Sequence, residues 1–264
     1  MRLFGVMILD DEFRPITVKA GNEQIAEGMR VRVQGSKNMT LLPDFFIVEI
    51  YNMSDEDRAV LNDNEMIYVY GRDDGLLCCG EIDDTYTREV DSNTITTLSI
   101  VDGKSFWNTW ISKSFGGGSS VKTIYESIVQ NASRGLFTAD DVRLIRGQTY
   151  DGRLAECVSM LARSVHARGF ITNNTVFITA KGKTSEVATV NEDDIIEAQD
   201  FATGIRIVKT DVKGYPAGAL CEVSGNQYRL VSQKFDADNY DGNWDSYLIL
   251  ADEKELSDGG MEGG

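Results

Sequence analysis

The stretch Met29-Arg30-Val31-Arg32-Val33 alternates apolar and basic side chains. A period of two is met by an extended strand with one face in a core and the other in water. Similar short runs recur through the first hundred residues, at 3–9, 16–19, 29–34, 45–51, 66–71, 76–82 and 94–101. Turn-forming clusters separate them: Ala20-Gly21-Asn22, Gly35-Ser36-Lys37-Asn38 and Asp73-Asp74-Gly75. Asp74-Gly75 between two apolar runs is a hairpin signal. Many short strands at close spacing predict a small barrel or sandwich over residues 1–105. One helix interrupts it: Ser54 is placed to cap, and Asp55, Glu56 and Asp57 put negative charge at the positive end of the helix dipole.

The pattern changes at residue 106. An aromatic cluster (Phe106, Trp107, Trp110, Phe115) is followed by Gly116-Gly117-Gly118-Ser119-Ser120. Val121, Ile124, Tyr125, Ile128 and Val129 then recur at helical spacing, with Ser120 as the expected N-cap. A second helix, with Asp151 as its expected cap, carries the stripe Leu154, Cys157, Val158, Leu161, Ala162 and Val165. A hairpin of residues 170–172 and 176–179, turned at Asn173-Asn174, offers both helices a surface, because asparagine tolerates the positive φ of such turns. A third helix is expected over 192–198, capped by Asn191. Residues 106–199 thus read as an α/β middle domain. Strands return at 205–210, 219–223, 228–234 and 247–250, with a turn at Ser224-Gly225-Asn226, giving a second, smaller β domain over 200–256. Residues 257–264, with four glycines and one apolar side chain, are expected to be disordered. The fold class read here is β-rich α+β.

Lys and Arg number 26 against 42 Asp and Glu, a net charge of −16. Such a surface repels phosphate backbones, which argues against specific nucleic-acid binding and suits a surface that DNA slides past. The cysteines Cys78, Cys79, Cys157 and Cys221 form no CxxC pair, so neither a zinc site nor a disulfide framework is implied. The apolar run 3–9 is too short to span a membrane, and no membrane partner is expected.

The chemistry-bearing residues do not assemble into a site on paper. His166 is the only histidine, no Gly-x-Ser-x-Gly accompanies it, and its place after a helix suits a cation at the negative end of the dipole. The run Asp236–Gly242 resembles a calcium loop until the register is tested: with Gly242 at the required glycine, Ala237 and Leu248 occupy ligand positions. It reads as a solvated loop. Gly116–Ser120 lacks the Gly-Lys-Ser/Thr of a phosphate loop and reads as a flexible linker or loop. Trp107 and Trp110 could form a sugar platform, but at a spacing of three they read as one side of a domain junction. No catalytic, cofactor-binding or metal-binding residue is assigned, and no cofactor.

Two ordered sets of motifs carry a resemblance. The first is Phe46-Ile47-Val48-Glu49-Ile50-Tyr51-Asn52-Met53-Ser54, then Asp57–Asn62, Asn64–Gly71 and Leu76-Leu77-Cys78-Cys79-Gly80-Glu81-Ile82. The second is Trp107–Phe115, the glycines, the helix at 121–131, Arg146–Gly152 and Leu161-Ala162-Arg163. Together, over residues 3–180, these resemble the baseplate hub (tail-tip hub) proteins of phages, prophages and related contractile injection systems. Met53 stands where that family's turn usually has leucine, and Cys78 where it has an aromatic residue. The resemblance implies two small tube-type β-barrel domains, at 1–105 and 200–256, around the α/β domain. It implies a homotrimer joining the tail tube, or a tube-initiator protein, to the central spike, with tape-measure and wedge proteins as further neighbours. DNA would cross the lumen without specific binding, in a virion tail assembled in the bacterial cytoplasm. The family is not enzymatic. The alternatives are a hexameric distal-tail or tube-adaptor subunit, a tail-associated cell-wall hydrolase, and a carbohydrate-binding receptor module.

Overall fold

The computed structural model describes residues 15–252, apart from 27, 62–65, 72–74, 131, 133, 181, 184–186, 224 and 241–242. The expected strand at 3–9, Asp74 of the expected hairpin turn and the expected disordered tail lie outside the described residues.

The first β block contains β1 (Thr17–Ala20), β2 (Glu23–Ala26), β3 (Val31–Asn38), β4 (Asp44–Tyr51), α1 (Asp55–Ala59), β5 (Met66–Tyr70), β6 (Leu76–Val90) and β7 (Asn93–Asp102). In β4, Phe46, Val48 and Ile50 point into the core while Phe45 and Ile47 face out, as the alternation predicts. Ser54 caps α1, its hydroxyl accepting from the Asp57 N–H at 3.0 Å. The middle block follows: α2 (Lys104–Asn108), β8 (Trp110–Phe115), α3 (Val121–Val129), β9 (Arg134–Phe137), β10 (Gln148–Arg153), α4 (Leu154–Ser164), β11 (Ala167–Thr172) and β12 (Thr175–Ala180). Both helices bury the predicted stripes against the β11–β12 hairpin. Its turn residues Asn173 and Asn174 take φ of 50° and 52°, so the hairpin closes in two residues. The last block holds β13 (Val187–Thr189), β14 (Ile195–Asp200), β15 (Ile205–Asp211), β16 (Leu220–Val223), β17 (Asn226–Asp238) and β18 (Trp244–Asp252).

Two expectations change, and the two β blocks prove to be joined. The helix over 192–198 is a single 3-10 turn, Glu192–Asp194, followed by the strand β14, because residues 195–200 pair along β15. Asp151 does not cap α4: it lies in β10 opposite Ser112, and the N-cap is Arg153, which makes no capping hydrogen bond through its side chain. The two β blocks keep separate cores but share a sheet. Among the described residues thirteen strands form it, its main path runs β14-β15-β18-β17-β3-β4-β7-β6-β5-β1-β2, and no pairing closes it. The sheet is shared because β17 is long. It pairs with β18 on one side, and over Ser232–Asp238 it takes the edge of β3 on the other. Phe235, Ala237 and Trp244 consequently sit in the first block's core, and the Phe235 ring stacks on Phe46 at 6.0 Å.

Candidate assembly surface

Register places one side of the sheet on a common face across eight strands, β14-β15-β18-β17-β3-β4-β7-β6. Lys209, Tyr247, Lys234 and Ser36 stand in a row, and Asp245, Asp236 and Gln34 in the next. Phe45 and Ile47 of β4 extend the same face. A groove of about 690 Å³ lies on it, lined among others by Phe45, Asp236, Asp245 and Tyr247. Three of its carboxylates are matched by cations: Asp236 by Arg32 (2.9 Å), Asp245 by Lys209 (3.2 Å) and Glu49 by Arg88 (2.9 Å). Arg32 holds Asp236 below the usual carboxylate range despite partial burial. Sequence reading put Asp236 and Asp238 in a solvated loop. They are instead strand residues at the β17–β3 seam, with Asp238 pairing to Arg30 at 2.7 Å.

The face ends in two open edges. β14 pairs only with β15 among the described residues. Among the described residues, 82–90 of β6 pair only with β7, since β5 covers β6 no further than Glu81. Residues 83–90 are exposed on both faces, forming an arm with the start of β7. Sequence reading ended this strand at residue 82, because Asp83 and Asp84 interrupt the apolar run. Thr85, Tyr86, Thr87 and Val90 ahead of the Asp91 turn are the signal it passed over.

Where the three blocks meet lies a buried polar cluster. Lys37 is fully buried, and its Nζ donates to the Tyr215 carbonyl at 3.5 Å. Burial lowers its pKa, against the pull of Asp44 and Asp102. Burial also pushes Asp44 up to about 7, although Asn38 donates to it from both backbone and side chain. Asp102 is pushed up to about 6 by burial, while accepting the Asn174 N–H at 2.7 Å. The middle block's hairpin is thus fastened to the end of β7. Glu81 of β6 accepts from the Ser105 N–H and hydroxyl and so fills the N-terminus of α2.

The residues weighed for chemistry stay apart. His166 is exposed, has φ 51° just after α4, and donates its N–H to the Arg163 carbonyl, closing the helix end. The glycine run is a loop, one of the two forms read from the sequence. It joins β8 to α3 inside the middle block, where Asp141 already accepts the Lys122 N–H and Ser120 hydroxyl at the helix N-terminus. Trp107 is half-buried against the middle core beneath Arg153, whereas Trp110 is 66% exposed. Among the described residues no group of His, Cys, Asp or Glu could hold a metal ion, and no helix is long and apolar enough to cross a membrane.

No family model matches this chain, and no curated protein does. Solved structures do. The 43 kDa tail protein of prophage MuSo2 from Shewanella oneidensis superposes with a TM-score of 0.68 at 11% identity, over 92% of this chain and 99% of that one. The chain has the fold of phage tail proteins. A tail protein from Neisseria meningitidis gives 0.63 at 10% identity, over 92% and 98%. An E. coli component of the type VI secretion system, itself described as similar to the bacteriophage T4 tail proteins gp27 and gp5, gives 0.58 at 8% identity, over 89% and 76%. The tail-protein fold expected from the motif order is the one observed.

Proposed function

We propose that the chain is a structural, non-enzymatic subunit of the baseplate hub of a phage-type injection machine. Three copies close a ring that joins the tail tube, or its initiator, to the central spike. The observation that carries this reading is the eight-stranded face, with an edge at each end that no described residue pairs. Open edges are a liability that proteins cover or pair. Joining β14 of one copy to the arm of β6 in the next satisfies both edges through a heterologous contact that closes by rotation. Three copies would then line a bore with twenty-four strands, and the tail-protein fold supports that use of the sheet.

In this arrangement the paired face lines the bore. Three of its carboxylates are paired with Arg32, Lys209 and Arg88, so DNA would meet a surface of mixed charge whose cations are already engaged. Tape-measure and wedge proteins are the further neighbours, and the assembled site is the virion tail.

Light scattering on the purified protein, alone and mixed with the spike, tests this. A mass near three times 29.3 kDa, alone or with spike, is expected. A hexamer would assign a tube-adaptor role instead, and a monomer indifferent to the spike would overturn the hub reading.

A further inference from the structure

The two-stranded sheet β8–β10 stands apart from the thirteen-stranded sheet. Its inner side turns Ile111, Phe115 and Tyr150 toward the middle core. On the outer side register sets three pairs: Trp110 opposite Arg153, Ser112 opposite Asp151, and Ser114 opposite Thr149. All six of these residues are exposed. Successive pairs stand about 7 Å apart along the strands.

The polar groups here are placed but not used. The indole N–H of Trp110 donates diagonally to Asp151 Oδ1 at 3.4 Å. Arg153 is held away from that carboxylate, its guanidinium carbon 5.5 Å above the Trp107 ring. Among the described residues neither Asp151 nor Arg153 has an ion-pair partner, and the Ser112 hydroxyl has no hydrogen-bond partner. A lone exposed aliphatic side chain needs no explanation, but tryptophan is highly buried on average. Trp110 stands open beside an unengaged acceptor and an unengaged donor.

Those neighbours narrow what can cover the ring. An apolar protein side chain would strip water from Asp151 and Arg153 and return no partner, which is costly. A phosphate-rich polymer would suit Arg153 but be repelled by Asp151. An N-acetylhexosamine answers both: its C–H face covers the indole, its hydroxyls and acetamido N–H donate to the carboxylate, and its acetamido carbonyl accepts from the guanidinium. We infer that the outer side of β8–β10 binds an N-acetylhexosamine chain. Trp110 is the platform, Asp151 and Arg153 orient the sugar, and the hydroxyls of Ser112, Ser114 and Thr149 continue the track. The source is the glycan strand of the bacterial cell wall. That source rests on the injection role proposed above, whereas the ligand chemistry does not. An open sheet face buries less of a ligand than a cleft, so one site binds weakly, and a trimer would multiply it by avidity.

The test titrates the full-length protein by calorimetry with a β-linked tetramer of N-acetylglucosamine, and pellets it with purified peptidoglycan. Saturation at roughly millimolar tetramer is expected. Trp110→Ala and Asp151→Ala should each weaken binding by about tenfold and release the protein from the pellet. Circular dichroism and the light-scattering mass should stay as in the wild type, since both side chains are exposed. Equal binding by Trp110→Ala would overturn the site, as would no binding to either tetramer or peptidoglycan. Retention on lipopolysaccharide but not on peptidoglycan would overturn the cell-wall source. A lower mass for Trp110→Ala, with no glycan bound by the wild type, would give the ring to a contact between copies instead. The titration reads a monomer as well as a trimer, so this site and the hub reading fail separately.

Discussion

Gly214 sits where the last block meets the first: a Cβ built there would lie 2.0 Å from the Leu76 carbonyl oxygen. Backbone cannot step aside as a flexible side chain can, so Gly214→Ala should cost about 1–3 kcal/mol, read as a lowered denaturant midpoint at unchanged slope. Leu161, fully buried in the α4 stripe, is a harder test of the middle block, because Leu161→Asp puts a carboxylate there with no partner. A loss of several kcal/mol is expected, and a soluble, folded variant by circular dichroism would show the stripe to be misread. Asp44 and Asp102 act through pH. Their pKa values are raised to about 7 and about 6, against about 3.9 for an unfolded aspartate, so across pH 4 to 7 the native state binds more protons than the unfolded one. Stability from these groups is present at low pH and lost as pH rises through that window. Asp44→Asn should flatten the fall in melting temperature between about pH 5 and 7. A slope equal to the wild type's would show that Asp44 stays ionised.

The elements divide into those the sequence makes legible and those it does not. Where one face is apolar and the other polar, as in β4, or where a capped stripe runs at helical spacing, as in α3, the side chains carry the assignment themselves. The β11–β12 turn is equally legible, because Asn-Asn is among the few pairs that tolerate two positive φ values. Three places were opaque for different reasons. β14 is an exposed edge, so burial imposes no alternation on Ile195–Asp200, and its acidic start looks like a helix N-terminus. The arm of β6 is exposed on both faces. The β17–β3 seam is set by pairing between residues some two hundred positions apart, which no local window contains. The seam also tempts an electrostatic explanation. Arg32 and Asp236 are each about one-third exposed, and such pairs give about 0.2–1 kcal/mol. A double-mutant cycle on them should return no more than about 1 kcal/mol, whereas Phe235→Ala should cost about 3–5 kcal/mol, because it empties core space against Phe46.

For the whole molecule, the continuous sheet makes the two β blocks one cooperative unit despite their separation in sequence. Hydrogen exchange should report this directly, with Phe235→Ala lowering protection in β4 and β18 together. A loss confined to β18 would show that the first block stands alone. The same joint has a consequence for how the protein is made. Ser232 bonds to Asn38 across 194 residues, so β3 waits for β17 to be synthesised. At about 5–20 residues per second that interval is roughly ten to forty seconds, during which β3 holds out a bare edge cut to the register of β17. A finished β17 from a neighbouring chain on the same message would fit it as well as its own. The step that unites the two halves is thus also the step at which copies could exchange them, and crowded synthesis becomes the condition under which assembly is most exposed to error.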